Sequence, residues 1–356
     1  MTSGPPVFVI GVPRSGTTLL RTMLDSHRNL AAGPETPWLC AHQARSIGGL
    51  VEYLCNDPHG FCANFGGTRQ EVIAAARGMV ESLLGAYAAR RGKGRWVEKT
   101  PDNLLFLPFL TELFPDAKFI HIRRSGLDVA LSTSVVAPHR RGISERHERL
   151  LALGPGLEVE NTLFNAALRH GHWERTIRAG LAGTASIPVE FETLVNEPEG
   201  VLRAILEFLG EPWDPAVLSY GASGHDLPEW EWGSADVAHH GAVTPSRAGR
   251  ALRELSALDL EILNPLAGAP GAAPVAGVAR LGSVEELESQ RFTRFMEWLN
   301  GFAGPLGLRT FTTWSKVWEY PWLWFNALAG VSWPGARLVD LGSERSPMPW
   351  VAALLG

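Results

Sequence analysis

The chain has 356 residues, of which 45% are hydrophobic and 19% charged, with a net charge of −5. That length fits about two domains and that balance a folded globular protein. A net negative chain lacks the surplus of cations that a general nucleic-acid binder needs. Three cysteines, Cys40, Cys55 and Cys62, form no CxxC pair. They point to reduced thiols in a cytoplasmic protein rather than a disulfide framework or a zinc site. No apolar run reaches the length of about 18 residues that a membrane span needs, and no basic-then-apolar leader opens the chain. Neither a span nor a signal peptide is therefore expected. Only four lysines occur, Lys93, Lys99, Lys118 and Lys316, which makes the place of each informative.

Residues 7–11, VFVIG, are a short continuous apolar run, as in a strand buried on both faces of a parallel sheet. Residues 17–27 follow at helical spacing, with Leu20, Met23 and Leu24 on one side. Thr68 and Glu71 form a capping box ahead of a helix running to Tyr87, and residues 102–114 read as another helix. AKFIHIRR, 117–124, predicts a second strand, with a helix over 127–134. SIPVEF, 186–191, predicts a third strand, and 198–210 a helix closed by Gly210. Strands alternating with helices imply an α/β fold, a parallel sheet flanked by helices. Residues 264–282 lack periodicity, are rich in Ala, Gly and Pro, and read as a linker. A further helix is expected from Ser283, with Glu286 completing its capping box. The expected organisation is a main domain over 1–263, the linker over 264–282, and a mainly helical, tryptophan-rich extension over 283–356.

Gly11 to Thr18 fits G-x4-G-x-[ST], a P-loop whose backbone N–H groups and helix N-terminus hold an anion. Thr17 stands where a nucleoside triphosphatase loop carries its lysine, and the cation is Arg14, inside the loop. A short phosphate held by Arg14, Thr17 and Thr18 suits this pattern better than a triphosphate with magnesium. In the second strand, Arg124 stands at the carboxyl end, where an open α/β sheet meets its ligand. Asp128 and Ser132 then share a helix face at i, i+4. A solvated strand end is the alternative for Arg123 and Arg124.

PRSGTTLL, 13–20, resembles the 5′-phosphosulfate loop of sulfotransferases that use 3′-phosphoadenylyl sulfate (PAPS). RRSGLDVALS, 123–132, resembles their 3′-phosphate motif, R-x3-D-x3-S, and VEFETLVNEP, 189–198, a third family segment, in the same order and spacing. The resemblance covers about residues 5–255. It implies a P-loop fold like that of nucleoside triphosphatases. It also implies PAPS as donor, adenosine 3′,5′-bisphosphate (PAP) as product, and no metal. Arg14, Ser15, Gly16, Thr17 and Thr18 would bind the 5′ side, with Arg124 and Ser132 on the 3′-phosphate.

GPETP, 33–37, resembles the GEET segment of tyrosylprotein sulfotransferases, with Pro34 replacing an acidic residue, and it implies Glu35 as the base. VEKTPDN, 97–103, resembles the family's Lys-[DT]-Pro and implies that Lys99 stabilises the transferring group together with Arg14. Glu98, His27 and His121 remain rival bases. TPSRAGRALREL, 244–255, resembles the late segment that closes over the nucleotide. Arg250 is the better match there and Arg247 the alternative, with Ser234 as a serine on the leaving group. Residues 137–150 are a basic stretch that reads either as an acceptor-facing lid or as a solvated helix.

Six of the thirteen tryptophans fall within 311–350. RLVDLGSERSPMPW, 337–350, resembles the first motif of S-adenosylmethionine-dependent methyltransferases, with Glu344 where the third glycine is expected. The expectation is a chain truncated from a fusion, or a tail that packs elsewhere or meets a partner, without methyl transfer. The acceptor would be a hydroxyl of a small molecule, a sugar or a peptide tyrosine. A P-loop kinase and a non-catalytic nucleotide-binding scaffold are the alternatives.

Overall fold

The computed structural model describes residues 4–40, 46–136, 163–222, 224–226, 228, 248–268 and 289–304, with scattered positions from 308 to 351. Among the described residues the chain forms two compact units, each discontinuous in sequence. The first is Met1–Arg124 with Thr176–Ala248, and the second is Ser125–Arg175 with Gly249–Gly356.

The first unit is built on a five-stranded sheet in the order β2-β3-β1-β4-β5. Its strands are β1 (Val7–Ile10), β2 (Leu30–Ala32), β3 (Arg95–Glu98), β4 (Lys118–Arg123) and β5 (Ala185–Glu190), and every pairing is parallel. Val7 faces Val97 on one neighbour and Lys118 on the other, so β1 is central and wholly buried, as its unbroken apolar run requires. Val7 and Val9 pack with Leu20, Met23 and Leu24 of α1 (Thr17–Asp25) in one core. Phe8 points the other way, into a cluster with Trp96, Phe114 and Phe119 at ring separations of 5.6–5.7 Å.

Short helices α2 (Pro37–Cys40), α3 (Ile47–Asn56) and α4 (Phe61–Phe65) lead to the long α5 (Arg69–Arg90). Thr68 and Glu71 cap α5 reciprocally, as the sequence predicts. By length and composition α5 is the one described helix that would pass for a membrane span. Alone that is weak evidence, and Arg69 and Arg77 bind it to Glu52, Glu112 and Asp116 of neighbouring segments. The helix expected over 102–114 is instead two pieces, a 3₁₀ turn at Pro101–Leu105 and α6 (Leu107–Leu113). Pro108 lies in the first turn of α6, where its missing N–H costs nothing, whereas a continuous helix would set its ring against the carbonyl of Leu104.

The second unit holds α7 (Gly126–Val136) and the first part of α8 (Leu163–Gly180), which runs on into the first unit. In the first unit β5 leads into α9 (Phe191–Asn196) and α10 (Pro198–Leu209), which ends on Gly210 at φ 78°. The second unit continues with α11 (Arg250–Glu254), α12 (Ala257–Leu266) and α13 (Gln290–Ala303). Residues 264–266, expected to start the linker, close α12, because Ile262, Leu263 and Leu266 are buried in the core of this unit. That core also takes Phe292, Phe295, Trp324 and Phe325, with Trp324 stacked 5.7 Å from Phe295. The described C-terminal residues are thus helical and aromatic, and they share a core with Leu127, Ala130 and Phe164. The start at Ser283, the stretch 137–150, Ser234, Arg247, Glu344 and the methyltransferase-like motif apart from Pro347 and Met348 lie outside the described residues.

Candidate active site

All five strands run the same way, so the segments that leave their carboxyl ends emerge on one edge of the sheet. The connection from β1 runs toward one side of the sheet, to β2, and that from β4 toward the other, to β5. A crevice outside the strand ends opens at such a reversal. The segments meeting there in the first unit are Gly11–Thr18 after β1, Gly33–Thr36 after β2, Lys99–Asn103 after β3 and Arg124 after β4.

The loop after β1 turns through two left-handed residues. Gly16 has φ 96°, and a Cβ there would come within 2.5 Å of the Phe191 ring. Arg14, at φ 76°, is the one non-glycine residue with positive φ among the described residues, a conformation that costs about 1–2 kcal/mol. Gly11 passes so close to β4 that a Cβ would sit 2.6 Å from the Ile122 carbonyl. Gly16 caps α1 without a side-chain hydrogen bond, so the first-turn N–H groups face outward with the positive end of the helix dipole. Ser15 is fully buried, and its Oγ has no hydrogen-bond partner. An orphaned hydroxyl among outward N–H groups fits an anion, and Thr17 and Thr18 begin the same helix.

The two arginines that end β4 part company. Arg123 pairs with Glu190 of β5. Arg124 turns toward the loop, where its Nη1 donates to the Arg14 carbonyl at 3.2 Å and its guanidinium lies 4.4 Å above the Phe191 ring. Arg123 is thus tied to the neighbouring strand, and Arg124 lies against the loop after β1.

Glu35 and Lys99 come together from adjacent strands. Lys99 Nζ donates to Glu35 Oε1 at 2.5 Å, with the lysine side chain 1% exposed and the glutamate 21%. Arg21 of α1 fixes the start of this segment by donating to the Gly33 carbonyl at 2.7 Å. Glu98, the residue before Lys99, is buried and accepts from Thr36 Oγ1 at 2.8 Å, from Thr100 Oγ1 and from Asn103 Nδ2. Burial pushes its carboxyl up to about 7; the Thr100 and Thr36 hydroxyls and the Lys99 charge oppose that rise, and the Glu35 charge adds to it. Enclosed in this way, Glu98 is poorly placed to reach a substrate proton. Of the histidine rivals, His27 binds the Pro212 carbonyl through Nε2 and accepts from Asn29 N–H at Nδ1, and His121 is buried within β4.

The model of the sulfotransferase family matches residues 5–215, more than half of the chain. The chain belongs to the sulfotransferase family. It is 30% identical over 227 residues to protein-tyrosine sulfotransferase 1 of Danio rerio, covering 61% of this chain and 56% of that one. It is 33% identical over 232 residues to the nodulation protein NoeE of Sinorhizobium fredii, covering 60% and 51%. An uncharacterised Aquifex aeolicus protein is 26% identical over 220 residues, covering 60% of this chain and 26% of the other. The chain thus spans about half the length, or less, of these relatives.

Ser132 and Arg250 belong to the second unit. Asp128 in α7 accepts from the backbone N–H groups of Gly249 and Ala251, both at 2.7 Å, and so caps α11. Arg250, at the head of that helix, pairs with Glu254 at 2.6 Å. No group of three or more His, Cys, Asp or Glu among the described residues is arranged to hold a metal. The sequence reading did not assign Thr36, Thr100, Asn103 and Arg21, which hold the segments bearing Glu35 and Lys99. The signal available for Glu98 was an acid directly before the lysine in VEKTP.

Proposed function

We propose that this sulfotransferase moves a sulfuryl group from PAPS to an acceptor hydroxyl, with Glu35 as base and Lys99 and Arg14 stabilising the charge that develops. The observation that carries this reading is the Glu35–Lys99 pair, a carboxylate and an ammonium 2.5 Å apart at the ends of adjacent strands. When bound, PAPS supplies an activated sulfuryl group and departs as PAP. The chain supplies the rest. Glu35 takes the proton of the acceptor hydroxyl, because a carboxylate in the turn after β2 is the residue suited to that role. Lys99 is then released from its ion pair and its charge serves the oxygen that gains negative charge. The first turn of α1, with Ser15, Thr17 and Thr18, is assigned to the 5′ side of the nucleotide, and Arg124 to its 3′-phosphate. The Danio rerio relative is named for protein tyrosine, which makes a tyrosine peptide the first acceptor to try.

Calorimetric titration with PAP, against ATP plus magnesium as the comparison, tests the donor. PAP binding with little response to ATP supports the reading. ATP binding with no response to PAP would turn the protein into a P-loop kinase instead. Transfer of radiolabelled sulfate from PAPS to tyrosine peptides, sugars and phenols then sorts the acceptor.

A further inference from the structure

Glu98 is a buried ionisable group beside the Glu35–Lys99 pair to which the mechanism gives no task. Its geometry is specific. The two residues proposed for the chemistry are each followed by a threonine, Thr36 after Glu35 and Thr100 after Lys99. Both threonine hydroxyls donate to the same oxygen, Oε1 of Glu98. The Thr36 backbone N–H donates to Thr100 Oγ1 at 2.7 Å, which leaves the Thr100 hydroxyl hydrogen for Glu98. Asn103 occupies the other oxygen, Oε2. One carboxylate therefore fastens the turn after β2 to the turn after β3, next to both functional side chains.

We propose that Glu98 is a positioning residue for sulfuryl transfer: by gripping Thr36 and Thr100 it holds Glu35 against Lys99. The proposal rests on the sulfotransferase reading above. A carboxylate accepts such bonds about twice as strongly as a neutral group, so the grip depends on the charge of Glu98. The charged and titratable groups facing it are Lys99 at the end of β3, Glu35 in the turn after β2, and the buried Cys40 of α2. With the Glu98 carboxyl pushed up to about 7, the grip tightens as pH rises through neutrality.

Glu98→Gln removes the charge and keeps the shape. Asn103 Oδ1 is buried without a partner, so the Asn103 amide can turn over and accept from the new amide. The proposal expects wild-type kcat to rise with pH through about 7. In Glu98→Gln that limb should vanish and kcat at pH 8 should fall about 10- to 100-fold, with PAP affinity and acceptor KM within about twofold. Thr36→Val should reproduce the fall in kcat, and Thr36→Ser should restore it. If Glu98→Gln does not fold, the Thr36 pair decides alone. Wild-type kcat and an unchanged pH limb in Glu98→Gln, or wild-type kcat in Thr36→Val, overturn the proposal. A wild-type protein that turns over no PAPS would instead sink the sulfotransferase reading. A crystal structure of Thr36→Val would still judge the positioning role: an intact Glu35–Lys99 contact overturns it, and a parted one supports it.

Discussion

Arg124 donates a hydrogen bond to the carbonyl of Arg14 at 3.2 Å, so the end of β4 helps hold the loop after β1 in its left-handed turn. The contact ties the guanidinium at the end of β4 to the one described non-glycine residue that holds a positive φ.

Replacing Arg124 with alanine should therefore act twice. It removes a charge-assisted partner for a phosphate, which is worth about 1.5–3 kcal/mol of PAP affinity. It also frees the Arg14 carbonyl. Calorimetry with PAP checks this, and an unchanged affinity would remove Arg124 from the nucleotide site.

Gly16→Ala should be costly for separate reasons. Alanine at φ 96° loses about 1–2 kcal/mol on backbone conformation alone. The new methyl would also press the Phe191 ring, on which Arg124 lies. A lower melting temperature and weakened PAP binding are expected together. Because the ring is shared, the losses of Gly16→Ala and Arg124→Ala should not add in the double variant.

Glu35→Gln should leave PAP binding intact while turnover falls about 10²- to 10⁴-fold. Lys99 keeps a neutral oxygen to bind, so the fold should survive. Full activity in this variant would move the base elsewhere.

The buried Glu98 makes stability depend on pH in a defined direction. Its carboxyl ionises near 4.5 in the unfolded chain and at about 7 in the folded one, so the native state holds the extra proton between those values. Stability from this group is full below the lower value and is lost as pH rises to the upper one, by about 3 kcal/mol in all. Glutamine at this position escapes the loss. The melting temperature of Glu98→Gln relative to wild type should therefore be higher at pH 8 than at pH 4.5, as read by differential scanning calorimetry. A gap that does not change with pH would contradict the raised ionisation.

The parts of the fold with strong local signals were legible in the sequence. β1 shows itself by an apolar run, α5 by the Thr68–Glu71 capping box, and α10 by Pro198 and Gly210 at its two ends. β2 and β3 did not show. Three residues are too few for a period, and RWVE begins and ends on charges that only tertiary partners satisfy. Arg95 is buried against Glu211 and the Leu209 carbonyl, and Glu98 against the threonines and Asn103. The same limit governed the site. Glu35 and Lys99 stood out through their motifs, but their contact spans 64 positions and depends on β2 lying beside β3. The break at Phe106 and the helical residues 264–266 were missed because Pro108 suits a first turn, and because an Ala- and Pro-containing segment can still bury Leu266.

Glu35 is strung between two moorings only a few residues apart, the Gly33 carbonyl under Arg21 and the Thr36 hydroxyl under Glu98. A short span pinned at both ends has little left to lose when a substrate arrives. The disorder that the turn must surrender is given up once, as the chain folds, and not again at each turnover. On the function proposed above, acceptor binding energy then has no need to order this turn and is available for selecting among hydroxyls.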